Sequence, residues 1–264
     1  MSRVRCLIAL VSVAAVLLGA CSQSAYEGSA GQVRKEMIVY AAASLKDAFT
    51  ELGREVEKQD STVKVTFSFG ASNLLERQIE QGAPADVFAS AAMDVMDSAQ
   101  AKGTLVDGTR RVFAGNTLVV IAPKGSAPIA SLDAIADARY RHVAVASPGV
   151  PVRKYSEEAL RRQGVWDRIT DRMVFGENVR QVVDYVVSGS ADIGLVYSTD
   201  AQQFRGQVVT VLTVDQALYK PVTYPVAVIR SGRNRAGADS FMRVLASPRG
   251  TEILHNYGFP TPGH

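Results

Sequence analysis

The chain has 264 residues, 47% of them hydrophobic, enough for one large or two modest globular units with packed cores, and this excludes a disordered polypeptide. Its formal net charge of +3 comes from 29 basic against 26 acidic residues, and loss of Arg3 and Arg5 with a leader would leave 27 against 26. Such a balance carries no electrostatic footprint for nucleic acid or for an anionic membrane surface.

Arg3 and Arg5 precede an apolar run from Cys6 to Ala20, which is too short for an ordinary membrane-spanning helix and has the layout of a secretion signal. The ending Leu18-Gly19-Ala20-Cys21 resembles the lipobox of bacterial lipoproteins, where cleavage leaves the cysteine first, carrying lipid on its thiol and amine. Residues 1–20 are therefore expected to be a lipoprotein signal peptide, Cys21 a lipid anchor, and the polar, aperiodic residues 21–36 a flexible tether. With Cys6 gone, no internal disulfide is available, and stability has to come from packing.

From Met37 onward apolar runs of strand length alternate with helical periodicities. Residues 38–43 read as a buried strand, and Leu45, Ala48, Phe49, Leu52 and Val56 then repeat at helical spacing. Val63, Val65, Phe67 and Phe69 alternate with polar residues, which predicts a strand with one buried face. Helices are expected over 74–81 and 93–102, around a short strand at 86–89, with Gly82, Pro84 and Gly103 as stops. Strands follow at 118–122, 142–146, 173–175, 193–197, 208–212 and 224–229. Helices are read near 131–136, at 153–163, along the Val179, Val182, Val183, Val186 and Val187 face, and at 236–245 and 248–257. The alternation implies an α/β fold with parallel sheets covered on both faces by helices.

One local pattern recurs. An apolar strand breaks into small residues with a serine, and a helix starts at once: IVYAAAS ends at Ser44, TFSFGAS at Ser72, and IGLVYST contains Tyr197 and Ser198. A strand feeding a helix N-terminus presents unpaired N–H groups and the positive end of the helix dipole, which together favour an anion. Each serine also fits a simpler role as a helix cap, and Ser44 with Asp47 matches a capping box. Catalysis has little support, because the three histidines (His142, His255 and His264) are dispersed and neither a nucleophile elbow nor a zinc-protease helix motif is present. Phosphate-binding glycine loops are absent as well, and the tyrosines of a ferric site would have to meet from dispersed positions.

The segments AAASLKDAF (41–49), SFGASNLLERQIEQGAPADVF (68–88), GNTLVVIAPKG (115–125), VPVRKYSEEAL (150–160), GLVYSTDA (194–201) and YPVAVI (224–229) resemble the substrate-binding protein of bacterial molybdate ABC transporters. The likeness runs from Met37 to Phe259. It implies a type II periplasmic-binding-protein fold: two α/β lobes, crossed twice by the chain near 113–117 and 223–224, which close on a ligand. On that pattern lobe 1 comprises residues 37–115 and 225–264, and lobe 2 residues 116–224.

The resemblance further implies that an oxyanion is held by Ser44, Ser72, the amides of Val152 and Val179, and the Tyr197 hydroxyl. Molybdate and tungstate carry no proton at neutral pH, so a pocket of donors suits them, whereas hydrogen phosphate also needs an acceptor. Arg153 and Lys154 replace the small residues frequent in the family, and Arg153 reads either as a solvent-facing side chain or as a cation at the cleft rim. The implied protein is a monomeric, lipid-anchored, extracytoplasmic receptor without a cofactor or a catalytic step, delivering molybdate or tungstate to a permease and its ATPase. A receptor for sulfate, phosphate or ferric ion, or a secreted hydrolase, are the alternatives.

Overall fold

The structure, a computed structural model, describes residues 34–260; the expected signal peptide, the Cys21 anchor and most of the tether lie outside the described residues. Lobe 1 opens with β1 (Lys35–Ala42), α1 (Lys46–Gln59), β2 (Val63–Gly70), α2 (Ser72–Glu80), β3 (Val87–Ala89), α3 (Met93–Ala101) and β4 (Arg111–Asn116). Lobe 2 holds β5 (Leu118–Pro123), β6 (Val143–Ala146), α4 (Pro151–Arg162), β7 (Met173–Gly176), α5 (Val179–Val187), β8 (Ile193–Tyr197), α6 (Ser198–Gln203) and β9 (Val208–Thr213). The chain then returns to lobe 1 as β10 (Val222–Val228), α7 (Arg235–Leu245) and α8 (Pro248–Asn256).

Each lobe is built on a five-stranded sheet, ordered β2-β1-β3-β10-β4 in lobe 1 and β7-β6-β8-β5-β9 in lobe 2. The sheets are mainly parallel, with one reversed strand in each: β10 runs antiparallel to β3 and β4, and β5 antiparallel to β8 and β9. The reason is topological. The strands that lead to the binding loops end at the cleft, whereas β5 and β10 begin there, because the chain has just crossed from the other lobe.

Several expected boundaries shift. Folded structure begins at Lys35, two residues inside the expected tether. Asn116 pairs with Val222 in the lobe 1 sheet, so the second crossing occupies residues 214–221 rather than 223–224. The alternating run at 63–69 buries only Val63 fully, since β2 is an edge strand whose other apolar residues are half-covered. The strand β4 leaves no clear mark in the sequence, since its partner β10 lies more than a hundred residues away and Arg111 and Gly115 interrupt its apolar pattern.

Helical periodicity translates directly into packing. Ala48, Phe49, Leu52 and Val56 form the buried face of α1, and Phe49 meets Phe113 and Phe241 at ring-centroid distances of 5.6 and 5.5 Å. In lobe 2, Val182, Val183 and Val186 of α5 are wholly buried against the sheet.

Candidate functional site

Five junctions meet between the lobes. From lobe 1, β1 runs through a 3-10 turn (Ala43–Leu45) into α1, and β2 runs into α2. From lobe 2, the loop after β6 leads into α4, β7 leads to α5, and β8 passes directly into α6. Ser44, Ser72, Val152, Val179 and Tyr197 all line one small cavity at this convergence, about 220 Å³ including its open mouth, with no charged side chain in its wall. The five contact positions that the resemblance implies thus lie together, and Arg153 is not among the lining residues.

None of the three junction serines caps its helix. The N-cap positions of α1, α2 and α6 are Leu45, Ala71 and Tyr197, and none makes a side-chain cap. The Ser72 hydroxyl oxygen instead accepts from the Ala91 N–H at 3.1 Å, and the Ser44 oxygen lies 2.9 Å from the Tyr224 hydroxyl. Ser198 is turned away from the cavity and donates to Asn116 Oδ1 at 3.0 Å. Asp47, the other half of the expected capping box, faces Arg180.

Lobe 2 contributes backbone. Val179 opens α5 and Val152 follows Pro151 in the first turn of α4, positions where a helix supplies no internal acceptor for the N–H. The Asn178 side chain caps α5 by accepting from the N–H groups of Arg180 and Gln181, which leaves the Val179 N–H at the cavity. Gly149, at φ +86°, turns the chain into α4, and a Cβ there would stand 2.9 Å from the Asn73 side chain of lobe 1.

The Tyr197 hydroxyl is buried and has no partner among the described residues. Burial holds its pKa well above the ordinary phenol value, so it keeps its proton and remains a donor. An orphaned buried hydroxyl costs free energy unless a bound group satisfies it.

Arg153 takes neither role considered for it. Its guanidinium donates to the Ala146 carbonyl at 3.1 Å, pairs with Glu157 at 3.1 Å, and stacks 4.3 Å from the centre of the Trp166 ring. The side chain therefore points into lobe 2, away from both the cleft and solvent. Position two residues into a helix does not tell which face receives the side chain; the aromatic shelf of Trp166 and Phe175 does. Lys154 forms an ion pair across the cleft with Asp94.

A second ionic contact joins the lobes at the other side. Arg180 of α5 reaches Asp47 of α1 at 2.7 Å, while its Nε lies 2.8 Å from the fully buried Asp200 without hydrogen-bond alignment. Burial pushes the Asp200 carboxyl up to about 6, against the opposing pull of Arg180. Asn116, Tyr224, Asn178 and Arg180 were not singled out from the sequence. Only Asn178 carried a local signal, as an asparagine immediately before a helical valine face. Among the described residues no group of three or more His, Cys, Asp or Glu side chains is placed to hold a metal ion.

Residues 37–260 match the family described as bacterial extracellular solute-binding protein. The chain is 38% identical over 229 residues to the molybdate-binding protein ModA of Haemophilus influenzae, spanning 85% of this chain and 89% of that protein. It is 36% identical over 250 residues to ModA of Escherichia coli, spanning 91% and 95%. The periplasmic molybdate-binding protein of Azotobacter vinelandii has the same fold, with a TM-score of 0.78 at 24% identity over 86% of this chain and 99% of that one. With two α/β lobes, a type II arrangement and a family match across nearly all of its described residues, the chain belongs to the bacterial extracellular solute-binding proteins.

Proposed function

We propose that this protein captures molybdate outside the cytoplasmic membrane and hands it to an ABC permease driven by its ATPase, with no chemical step and no cofactor. The observation that carries the reading is the buried, unpartnered Tyr197 hydroxyl, in a cavity that also receives Ser44 and Ser72 from the opposite lobe. A proton-free tetrahedral dianion accepts from all three hydroxyls and from the Val152 and Val179 N–H groups at once. The first turns of α2, α4 and α5 offset its charge, so no cation is needed in the wall. The relatives named as molybdate-binding proteins support this choice of ion. Tungstate, alike in shape and hydrogen-bonding demand, is the second ligand, and sulfate is rejected by size as the lobes close. The receptor works as a monomer held to the envelope through lipid on Cys21.

Thermal melting of the form that begins after Cys21 tests the reading, with molybdate, tungstate, sulfate, phosphate and chromate as ligands. An ion at about 100 times its dissociation constant adds roughly 2.7 kcal/mol, a rise of several degrees at this size. A rise with sulfate or phosphate and none with molybdate or tungstate would overturn it.

A further inference from the structure

Behind Ser44 lies a buried chain of hydrogen bonds at the two crossings between lobes. Asn116 ends β4 where the chain leaves lobe 1, and Tyr224 sits in β10 where it has returned. The Thr117 N–H donates to Asn116 Oδ1 at 2.9 Å, and Ser198 donates to the same oxygen. A backbone N–H is only a donor, so this contact fixes which end of the amide is oxygen. The amide nitrogen must then donate, to Thr199 Oγ1 at 2.9 Å and to the Tyr224 hydroxyl at 3.1 Å.

With its oxygen accepting from Asn116, Tyr224 has one proton to place, and its other partner is Ser44 Oγ at 2.9 Å. Burial pushes the Tyr224 pKa up, so that proton stays. Ser44 accepts it, and its own proton is left for the cavity. Ser72 is set the same way by the Ala91 N–H, and the acceptor oxygen of Asn178 is occupied by Arg180 and Gln181. Each of these three wall side chains thus already accepts from a donor of the protein, and each serine has its own proton left to give.

We propose that Asn116 and Tyr224 are positioning residues that lock Ser44 as a donor, and that this relay makes the cavity select against oxyanions that carry a proton. The inference rests on the oxyanion-receptor reading above. Hydrogen phosphate would bring its P–OH against serines turned to donate; Tyr197, whose hydroxyl has no partner among the described residues, could accept it only by turning its own proton off the ion, and either way one buried donor is left unpaired. Sulfate is close to phosphate in size and has no proton, so comparing the two cancels size and isolates the proton.

The experiment is calorimetric competition of sulfate and of phosphate against molybdate at pH 7.5, for the wild type, Tyr224→Phe and Asn116→Asp. The wild type is expected to favour sulfate over phosphate by about tenfold or more, the value of one unmatched hydrogen bond. In Asn116→Asp the carboxylate draws the Tyr224 proton, Ser44 donates back to Tyr224, and a lone pair turns to the cavity. The sulfate-to-phosphate ratio then falls roughly tenfold, while the added charge weakens both dianions alike and cancels. Tyr224→Phe keeps the ring packed against Phe113 and Phe259 and frees Ser44 to rotate, which narrows the ratio severalfold; it decides the matter should Asn116→Asp not fold. A wild type that binds molybdate yet does not prefer sulfate overturns the relay, as do variants that weaken both anions equally. A wild type that ignores molybdate overturns the receptor reading itself, and this inference with it.

Discussion

The two lobes build their halves of the cavity from different chemistry. Lobe 1 offers serine hydroxyls whose oxygens are already held, Ser72 by the Ala91 N–H and Ser44 by Tyr224. Lobe 2 offers the first N–H groups of α4 and α5 and Tyr197, whose buried hydroxyl has no partner among the described residues. The first half donates through side chains held by neighbouring groups, the second mainly through helix ends. Truncating side chains therefore probes lobe 1, whereas the lobe 2 amides yield only to changes that delete an N–H.

The carboxylate behind the lobe 2 half-site should respond most strongly, through pH. Asp200 has a folded pKa of about 6 against an ordinary 3.8, so the folded state holds its proton where the unfolded chain has lost it. Its contribution to stability is full below about pH 4 and is lost as pH rises through 6, a swing of about 3 kcal/mol. Urea unfolding of the wild type between pH 4 and 7 should show that decline relative to Asp200→Asn; parallel profiles would remove Asp200 as its source.

On the lobe 1 side, Ser72→Ala deletes a donor to the ion and leaves the buried Ala91 N–H without its acceptor. Affinity for molybdate should fall by roughly 2 to 3 kcal/mol, and the ion-free protein should also melt earlier. Calorimetry with a parallel melt reads both effects, and an unchanged ion-free melting temperature would show that the Ala91 contact is not holding the serine.

Tyr197→Phe provides the contrast across the cleft. It removes a hydroxyl with no partner among the described residues, so affinity should drop by roughly 1.5 to 3 kcal/mol while the ion-free melting temperature holds or rises. Val179→Pro tests the backbone half directly. Proline is tolerated at the first position of a helix, and the extended Asn178 at φ −155°, ψ 175° suits a residue before proline, so the N–H is lost with the helix kept. An affinity loss of about tenfold is expected by calorimetry, and an unaltered dissociation constant would take Val179 out of the site.

The smallest effect on binding belongs to Arg153→Met. Losing the Trp166 stack and the Ala146 bond should cost about 1 to 2 kcal/mol of stability, with molybdate affinity unchanged within about twofold. A large loss of affinity would return Arg153 to the cleft rim.

Much of this molecule is legible in its sequence, for reasons that differ by element. The α1 and α5 faces follow from spacing, because a helix repeats its buried side every three to four residues wherever it packs. The strand-to-helix junctions at Ser44, Ser72 and Tyr197 are local events, written in small residues at strand ends. Val152 and Val179 carry no such mark, since a backbone N–H is common to every residue but proline; they were placed by resemblance alone.

Tertiary structure decided the rest. The reversal of β5 and β10 follows from where the chain crosses, and the direction of Arg153 from an aromatic shelf supplied by later residues. Ser44 meets Tyr224 across 180 positions, and Asn116 reaches the same hydroxyl across 108. Contacts of that separation leave no periodic trace in the chain. The sequence by itself determined which residues stand at the sheet edges. Whether their hydroxyls donate or accept was decided only when two lobes and two crossings brought distant partners into hydrogen-bond range.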